Sequence, residues 1–376
     1  MNADSTAALP DADVSAERVL SVDALRGFDM FWIVGGGGFF QAMAALGDNP
    51  LSAFVLNQLK HRKWEGCVFE DLIFPTFVFL VGVSVVFSLG KIIAREGMGA
   101  AHRRILRRFA LMFLLGIVYS GGIYHGVEGI RIMGVLQRLA LSYLFAALLF
   151  CHLGPKKLVA VCVALLVGYW LLLSFVPVPG LGRTSFAVEE NWANYLDRRF
   201  LPWRKNDGDW DPEGILSSFP AVATCLLGVF AGLFLKDRSV APDRKGIYLM
   251  AAGVAALIVG YGWGLQFPVI KKIWTSSYVL VAGGYSCILL GVFYQIVDVW
   301  KWRAWTPPFL WIGSNALTIY MSRNLVDFNA VARRLAGGAS HEGALTAGDL
   351  PAMAVSLALT LWLAHFLYKR KIFIRI

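Results

Sequence analysis

Residues 57–82 read Asn57-Gln-Leu-Lys-His-Arg-Lys-Trp-Glu-Gly-Cys-Val-Phe-Glu-Asp-Leu-Ile-Phe-Pro-Thr-Phe-Val-Phe-Leu-Val-Gly82. A short polar hairpin carrying His61, Trp64 and Asp71 runs without a break into a long apolar segment. The segment has the continuous apolarity of a membrane-spanning helix, so an imidazole and a carboxylate stand at the edge of a bilayer. Ionisable groups are costly there unless partnered, and they mark function by default.

Working outward, the same character covers the chain. It has 376 residues, 57% hydrophobic and only 16% charged, with a mean hydropathy of +0.60. Repeated apolar runs of about 20 residues are what a bilayer core requires. The runs are continuous rather than alternating, which excludes a β-barrel. The expected fold is all-α, a polytopic transmembrane helix bundle of about ten spans, near 25–46, 71–90, 109–125, 132–152, 158–176, 214–235, 246–264, 277–299, 308–328 and 351–368.

The net charge of +10 reads as topology rather than nucleic-acid binding. Basic residues concentrate in connections expected on one side, above all Lys91 to Arg108 and the tail Lys369-Arg370-Lys371. That side is expected to be cytoplasmic, with both termini on it. Residues 1–18 lack the features of a signal peptide and read as a disordered cytoplasmic tail. Residues 19–376 read as a single transmembrane domain. The five cysteines include no CxxC pair, and their spacing suits neither a disulfide framework nor zinc.

Several polar groups stand out. His61 has the chemistry of a general base, and an idle loop histidine is the plain alternative. Asp71, ten residues on, either orients His61 or serves only the dipole of its own helix. Gln137 and Arg138 lie inside an apolar run, where Arg138 needs an anionic ligand or an internal partner such as Asp29 or Asp71. Asp23 and Arg26 are spaced i,i+3 and can pair. Asn315 is polar in an apolar run, with helix-to-helix hydrogen bonding as its plain role. Gly35 to Gly38 permit close approach of backbone or ligand. The 177–213 connection is rich in Trp and Asp and suits either a sugar face or an interfacial aromatic belt.

These residues carry a family resemblance. Ser21-Val-Asp-Ala-Leu-Arg-Gly27, His61-x-x-Trp64-x-Gly66, Asp71-Leu-Ile-Phe-Pro75, Gly134-Val-Leu-Gln-Arg-Leu139, Asp211-Pro-Glu-Gly-Ile-Leu216, Gly313-x-Asn315 and Tyr368-Lys-Arg-Lys-Ile-Phe373 occur in order. The set resembles the heparan-α-glucosaminide N-acetyltransferase family, as a bacterial-type member without the lumenal domain and additional first span of the lysosomal members. The resemblance implies an enzyme that moves acetyl from cytoplasmic acetyl-CoA to a glucosamine-type amine across the membrane, with the family's active-site histidine on His61. The family's Asn on the first core span falls within Gly35–Gly38, leaving Asp29 or Asn315 to replace it.

On this reading His61 is the base or acetyl carrier, and Asp71 orients it or holds the amine. Direct base catalysis is preferred, because nothing demands a covalent step. Arg26, Gln137, Arg138 and Asn315 are expected at the donor. Trp64, Asp211 and Glu213 are expected at the sugar. Expected partners are an amino-sugar or glycan acceptor and the lipid bilayer, with a homodimer left open, no nucleic acid and no metal. The expected location is a bacterial inner membrane. The alternatives are a secondary transporter of a small polar solute and an acyltransferase acting on another envelope glycan.

Overall fold

A backbone buried in lipid must satisfy its own polar groups, and a helix does so within one segment. The computed structural model describes residues 19–124, 126–337 and 345–373. Residues 1–18, expected as a disordered tail, lie outside the described residues. Among the described residues the fold is all-helical, with isolated β-bridges but no strand.

In chain order the helices are α1 (Leu20–Phe31), α2 (Gly37–Ala44), α3 (Pro50–Gln58), α4 (Phe69–Tyr119), α5 (Val135–His152), α6 (Pro155–Phe175), α7 (Trp192–Phe200), α8 (Ser218–Lys236), α9 (Pro242–Gly264), α10 (Ser276–Phe293), α11 (Pro307–Ser314), α12 (Ala316–Leu325), α13 (Phe328–Ala336) and α14 (Leu350–Lys369). A π-helical turn, Trp32–Gly36, joins α1 to α2.

Seven helices are long and apolar enough to cross a membrane: α4, α5, α6, α8, α9, α10 with its π-helical extension to Val299, and α14 with the turn before it. The sequence reading expects about ten runs, and three local features account for the difference. The run 25–46 is interrupted at Gly35, where helical geometry is lost. The run 308–328 is interrupted at Asn315 between α11 and α12. The runs 71–90 and 109–125 belong to one 51-residue helix, with a non-helical residue at Gly97 (φ 81°). The basic stretch Lys91 to Arg108, expected as a connecting loop, is therefore helical on both sides of Gly97.

Burial separates centre from periphery. α4 and α8 bury 67% and 72% of their most apolar windows, whereas α6 and α9 bury only 28% and 22%. The first pair is core, and the second turns apolar sides outward as lipid-facing helices do. The core packs through glycines. A Cβ on Gly82 of α4 would lie 1.9 Å from the Cys225 carbonyl oxygen, and one on Gly228 of α8 would lie 1.8 Å from the Phe79 carbonyl oxygen. Only hydrogen at those positions allows the backbones to meet, the usual device of membrane helix pairs.

Gly228→Leu is expected to force α4 and α8 apart. Overpacking of this kind costs about 2 kcal/mol, a fall in Tm of about 2–3 °C for a chain of this size. Thermal unfolding in detergent checks it, and an unchanged Tm would show that the two helices are not in contact.

Candidate active site

Asp71 sits in the first turn of α4 and is fully buried. Its Oδ2 accepts from the backbone N–H groups of Val68 and Arg62, each at 3.3 Å. Its Oδ1 lies 2.9 Å from His61 Nδ1 and accepts from Lys271 Nζ at 3.3 Å. Four donors thus converge on one carboxylate. An ionised carboxylate can only accept, so Nδ1 carries the proton in this pair and Nε2 keeps its lone pair. Nε2 has no partner among the described residues. The ring is 57% exposed while its carboxylate partner is 1% exposed. The geometry is that of an imidazole held in one tautomer with its basic nitrogen outward.

The hairpin that carries His61 is fastened to the α9–α10 connection. Gly66 N–H donates to the Val269 carbonyl at 2.8 Å. This brings Lys271, 3.1 Å from His61 Nδ1, to a site 210 residues away in sequence. Tyr278 of α10 donates its hydroxyl to the Asp71 carbonyl at 2.6 Å, fixing the start of α4 from below. Cys67, beside the site, is not poised as a nucleophile. Burial, and then the Asp71 charge, push its thiol up to about 12, and the thiolate is the reactive form.

His61 stands at a cavity of about 520 Å³ whose lining includes Trp32, Gly35, Gly37, Gly38, Glu70, Glu213, Lys271, Tyr320 and Arg323. A second cavity of about 490 Å³ is lined by Asp23, Arg26, Lys91, Arg104, Arg108 and Asn315, among others. The two cavities share their walls. On α4, Phe74 faces the first and Phe77 the second, about 4.5 Å apart along the axis. On α5 they are Val135 and Leu139, and on α12 Tyr320 and Leu317. The cavities therefore stand end to end, separated by about one helical turn. Tyr119 and Tyr320, stacked with centroids 4.5 Å apart, line the His61 side of that partition.

The structure brings some expected residues together and places others elsewhere. Arg26 and Asn315 line the basic cavity. Arg26 also pairs with Asp23, as the i,i+3 spacing suggests, and donates to the Gly313 carbonyl at 3.0 Å. Asn315 donates to the Ile372 carbonyl at 3.0 Å. Arg138 lines neither cavity. Its guanidinium donates to the Pro212 carbonyl at 2.7 Å and to Ser217, and lies 4.7 Å from the centre of the Trp274 ring. The ion pair with Asp29 or Asp71 weighed from sequence is not formed. Gln137 donates to the Arg131 carbonyl at 3.3 Å and lines neither cavity.

Glu213 reaches the His61 cavity, whereas Asp211 does not. Arg131 binds Asp211 through two bonds of 2.7 Å and Glu213 at 2.5 Å. Asp211 also accepts from the N–H groups of Asn206 and Glu213, so its carboxylate organises the loop. Trp64 donates to the Phe186 carbonyl at 2.8 Å and meets Trp210 edge-on, outside the cavity lining. Asp29 is buried and lines neither cavity. Sequence reasoning missed Glu70, Lys271, Lys91, Arg104 and Arg108 as site residues. The i,i+4 spacing of Arg104 and Arg108 was the available signal for a shared helix face. Nothing in the sequence pointed to Lys271.

Fold and site together define a polytopic helical membrane protein with a histidine–carboxylate pair at one cavity and a basic cavity behind it. The family model described as heparan-alpha-glucosaminide N-acetyltransferase, catalytic, matches residues 18–262, and the chain belongs to that family. It is 28% identical to the Homo sapiens protein named heparan-alpha-glucosaminide N-acetyltransferase, over 96% of this chain and 60% of the human one. The Mus musculus protein of the same name is 27% identical, over 96% of this chain and 61% of its own length. The chain spans about 60% of the length of these relatives. The family resemblance read from the motifs thus holds.

The loop beside the site has a pH signature. Asp197 of α7 accepts from the N–H groups of Ile215 at 2.9 Å and Asp211 at 3.3 Å. Burial nonetheless pushes its carboxyl from an ordinary 3.8 up to about 6. The folded state then binds this proton more tightly than the unfolded chain, so the group favours folding most at low pH. That contribution is expected to fall as pH rises from 3.8 through about 6. Thermal unfolding across this window should show a shallower decline in Asp197→Asn than in the parent chain. Parallel curves would rule out the assignment.

Proposed function

We propose that this protein is a membrane-embedded acetyltransferase that moves acetyl from cytoplasmic acetyl-CoA to the amine of a glucosamine-type acceptor on the opposite face. The observation that carries this reading is the end-to-end pair of cavities, one basic and one holding the His61–Asp71 pair. The names of the relatives supply the reaction class, and the cavities suit its physical problem, a charged donor on one side and a polar acceptor on the other.

The basic cavity fits the donor's chemistry. Lys91 and Arg104 offer cationic side chains, and Arg108 Nε is a buried donor without a partner among the described residues. Such groups suit phosphate or carbonyl oxygens. The cationic lining supports a cytoplasmic position for this cavity and an outer one for His61, in the bacterial inner membrane that this reading assigns to the chain. Taking the Gly97 break as a connection, and the two interrupted helical runs as crossings, gives ten spans with both termini cytoplasmic.

The chemistry then falls to His61. Nε2 takes the proton that the attacking amine releases as the N–C bond forms and the thioester C–S bond breaks, and returns it to the departing sulfur. Asp71 holds Nδ1–H and stabilises the imidazolium that forms. Lys271 steadies the carboxylate in turn. Acetyl passes the partition near Tyr119 and Tyr320, which is thin enough for a pantetheine arm to cross once those rings move.

His61→Ala is expected to lower acetyl transfer from acetyl-CoA to glucosamine by at least about 100-fold while the purified protein keeps its Tm. Wild-type turnover in this variant would refute the assignment. Arg104→Glu should raise the KM for acetyl-CoA by about tenfold or more, the usual scale for a charge-assisted contact, and leave the KM for glucosamine unchanged. Steady-state kinetics with each substrate varied separately checks this. An unchanged acetyl-CoA KM would remove the basic cavity from the proposal.

A further inference from the structure

Glu70 immediately precedes Asp71 in the first turn of α4. Consecutive helical residues point about 100° apart. Asp71 turns to the hairpin, and Glu70 turns towards Gly37 at the start of α2. Its Oε2 lies 3.9 Å from the position a Cβ on Gly37 would take. That oxygen is buried and has no hydrogen-bond partner among the described residues. His61, Lys271, Asp71 and Arg323 all act on it electrostatically. None of them forms an ion pair with it among the described residues. Lys271 is engaged with Asp71, and Arg323 donates to the Ile33 carbonyl.

A carboxylate in a first helical turn gains from the helix dipole, but that gain is smaller than the loss from burying an unpaired charged acceptor. The dipole alone does not account for Glu70. A second atom on the same wall has the opposite need. Trp32 Nε1 is buried, lines the cavity, and donates to nothing among the described residues. Besides Arg333 Nε, a cationic donor of the same cavity that also lacks a partner among the described residues, the lining presents one unanswered anionic acceptor and one unanswered neutral donor. A primary ammonium flanked by hydroxyls answers both.

We propose that Glu70 is the residue that binds the acceptor's charged amine, with Trp32 Nε1 donating to a neighbouring hydroxyl. The proposal rests on the acetyltransferase reading for the identity of the sugar. Gly37, whose lack of a side chain leaves open the space 3.9 Å from Glu70 Oε2, gives the room in which that amine sits. The bound ammonium gives one proton to the Glu70 carboxylate, which frees the lone pair that attacks the thioester carbon. The amide product is neutral, and once that proton has passed to water the carboxylate no longer favours it. Glu70 therefore also sets a preference for substrate over product.

The test is calorimetric titration of the full chain in detergent at pH 7, without donor, using glucosamine and N-acetylglucosamine as probes. The parent chain should bind glucosamine more tightly than N-acetylglucosamine. Glu70→Gln should weaken glucosamine binding by about tenfold or more, the scale of one charge-assisted hydrogen bond, and leave N-acetylglucosamine binding unchanged. Glu70→Asp, which keeps the charge on a shorter arm, should keep part of the preference. Unchanged glucosamine binding in Glu70→Gln overturns the proposal. So does equal weakening of both sugars, or no glucosamine binding by the parent chain. A parent chain that binds glucosamine through Glu70 but transfers no acetyl would overturn the acetyltransferase reading and leave this binding role in place.

Discussion

The site depends on one buried carboxylate. Asp71 has no exposure to solvent, and a charge so placed persists only when donors surround it. Those donors come from distant parts of the chain: the His61 ring, the hairpin backbone at Arg62 and Val68, and Lys271 from the α9–α10 connection. The demand of a single acceptor therefore ties the hairpin, the start of α4 and the connection before α10 into one unit. It also selects the histidine tautomer. The charge that stabilises the local fold and the charge that orients the His61 ring are the same.

Around that unit, other buried charges are answered by contacts that build loops. Arg138, inside an apolar helix, is answered by a carbonyl, a hydroxyl and an indole face. Arg131 gathers Asp211 and Glu213, and Asp197 holds the same turn through backbone N–H groups. These contacts set the 211–217 segment against the His61 cavity and leave Glu213 at its edge. The glycine contacts between α4 and α8 act at the other end of the length scale. They bring backbones together so that α4 can serve as the common wall of both cavities.

The apolar runs, the polar hairpin and the His61–Asp71 relation were legible in the sequence, because each rests on local composition or on neighbours along the chain. The i,i+3 pairing of Arg26 with Asp23 was legible for the same reason. The roles of Gln137 and Arg138 were not. An arginine in an apolar run announces that it needs a partner but not which one, and here the partners lie 74 and 79 residues away. Asp211, expected at the sugar, pairs with Arg131 and lies outside the lining of both cavities, which no local spacing announced. Composition reads a connection over Lys91 to Arg108, whereas α4 is helical through that stretch on both sides of Gly97, the one residue there that departs from helical geometry.

By itself the sequence determined that this is a multi-helix membrane protein, that a histidine and a carboxylate stand at the edge of one apolar run, and which family the ordered motifs resemble. Hydrophobicity and local spacing suffice for each. The tertiary structure alone decided that Lys271 completes the Asp71 cluster, that Arg104 and Asn315 share a cavity, that Glu70 looks across Gly37, and that two cavities meet end to end. Those facts depend on which helix faces pack together. That choice minimises unpaired charge and empty volume over the whole bundle, and no short window of sequence contains it.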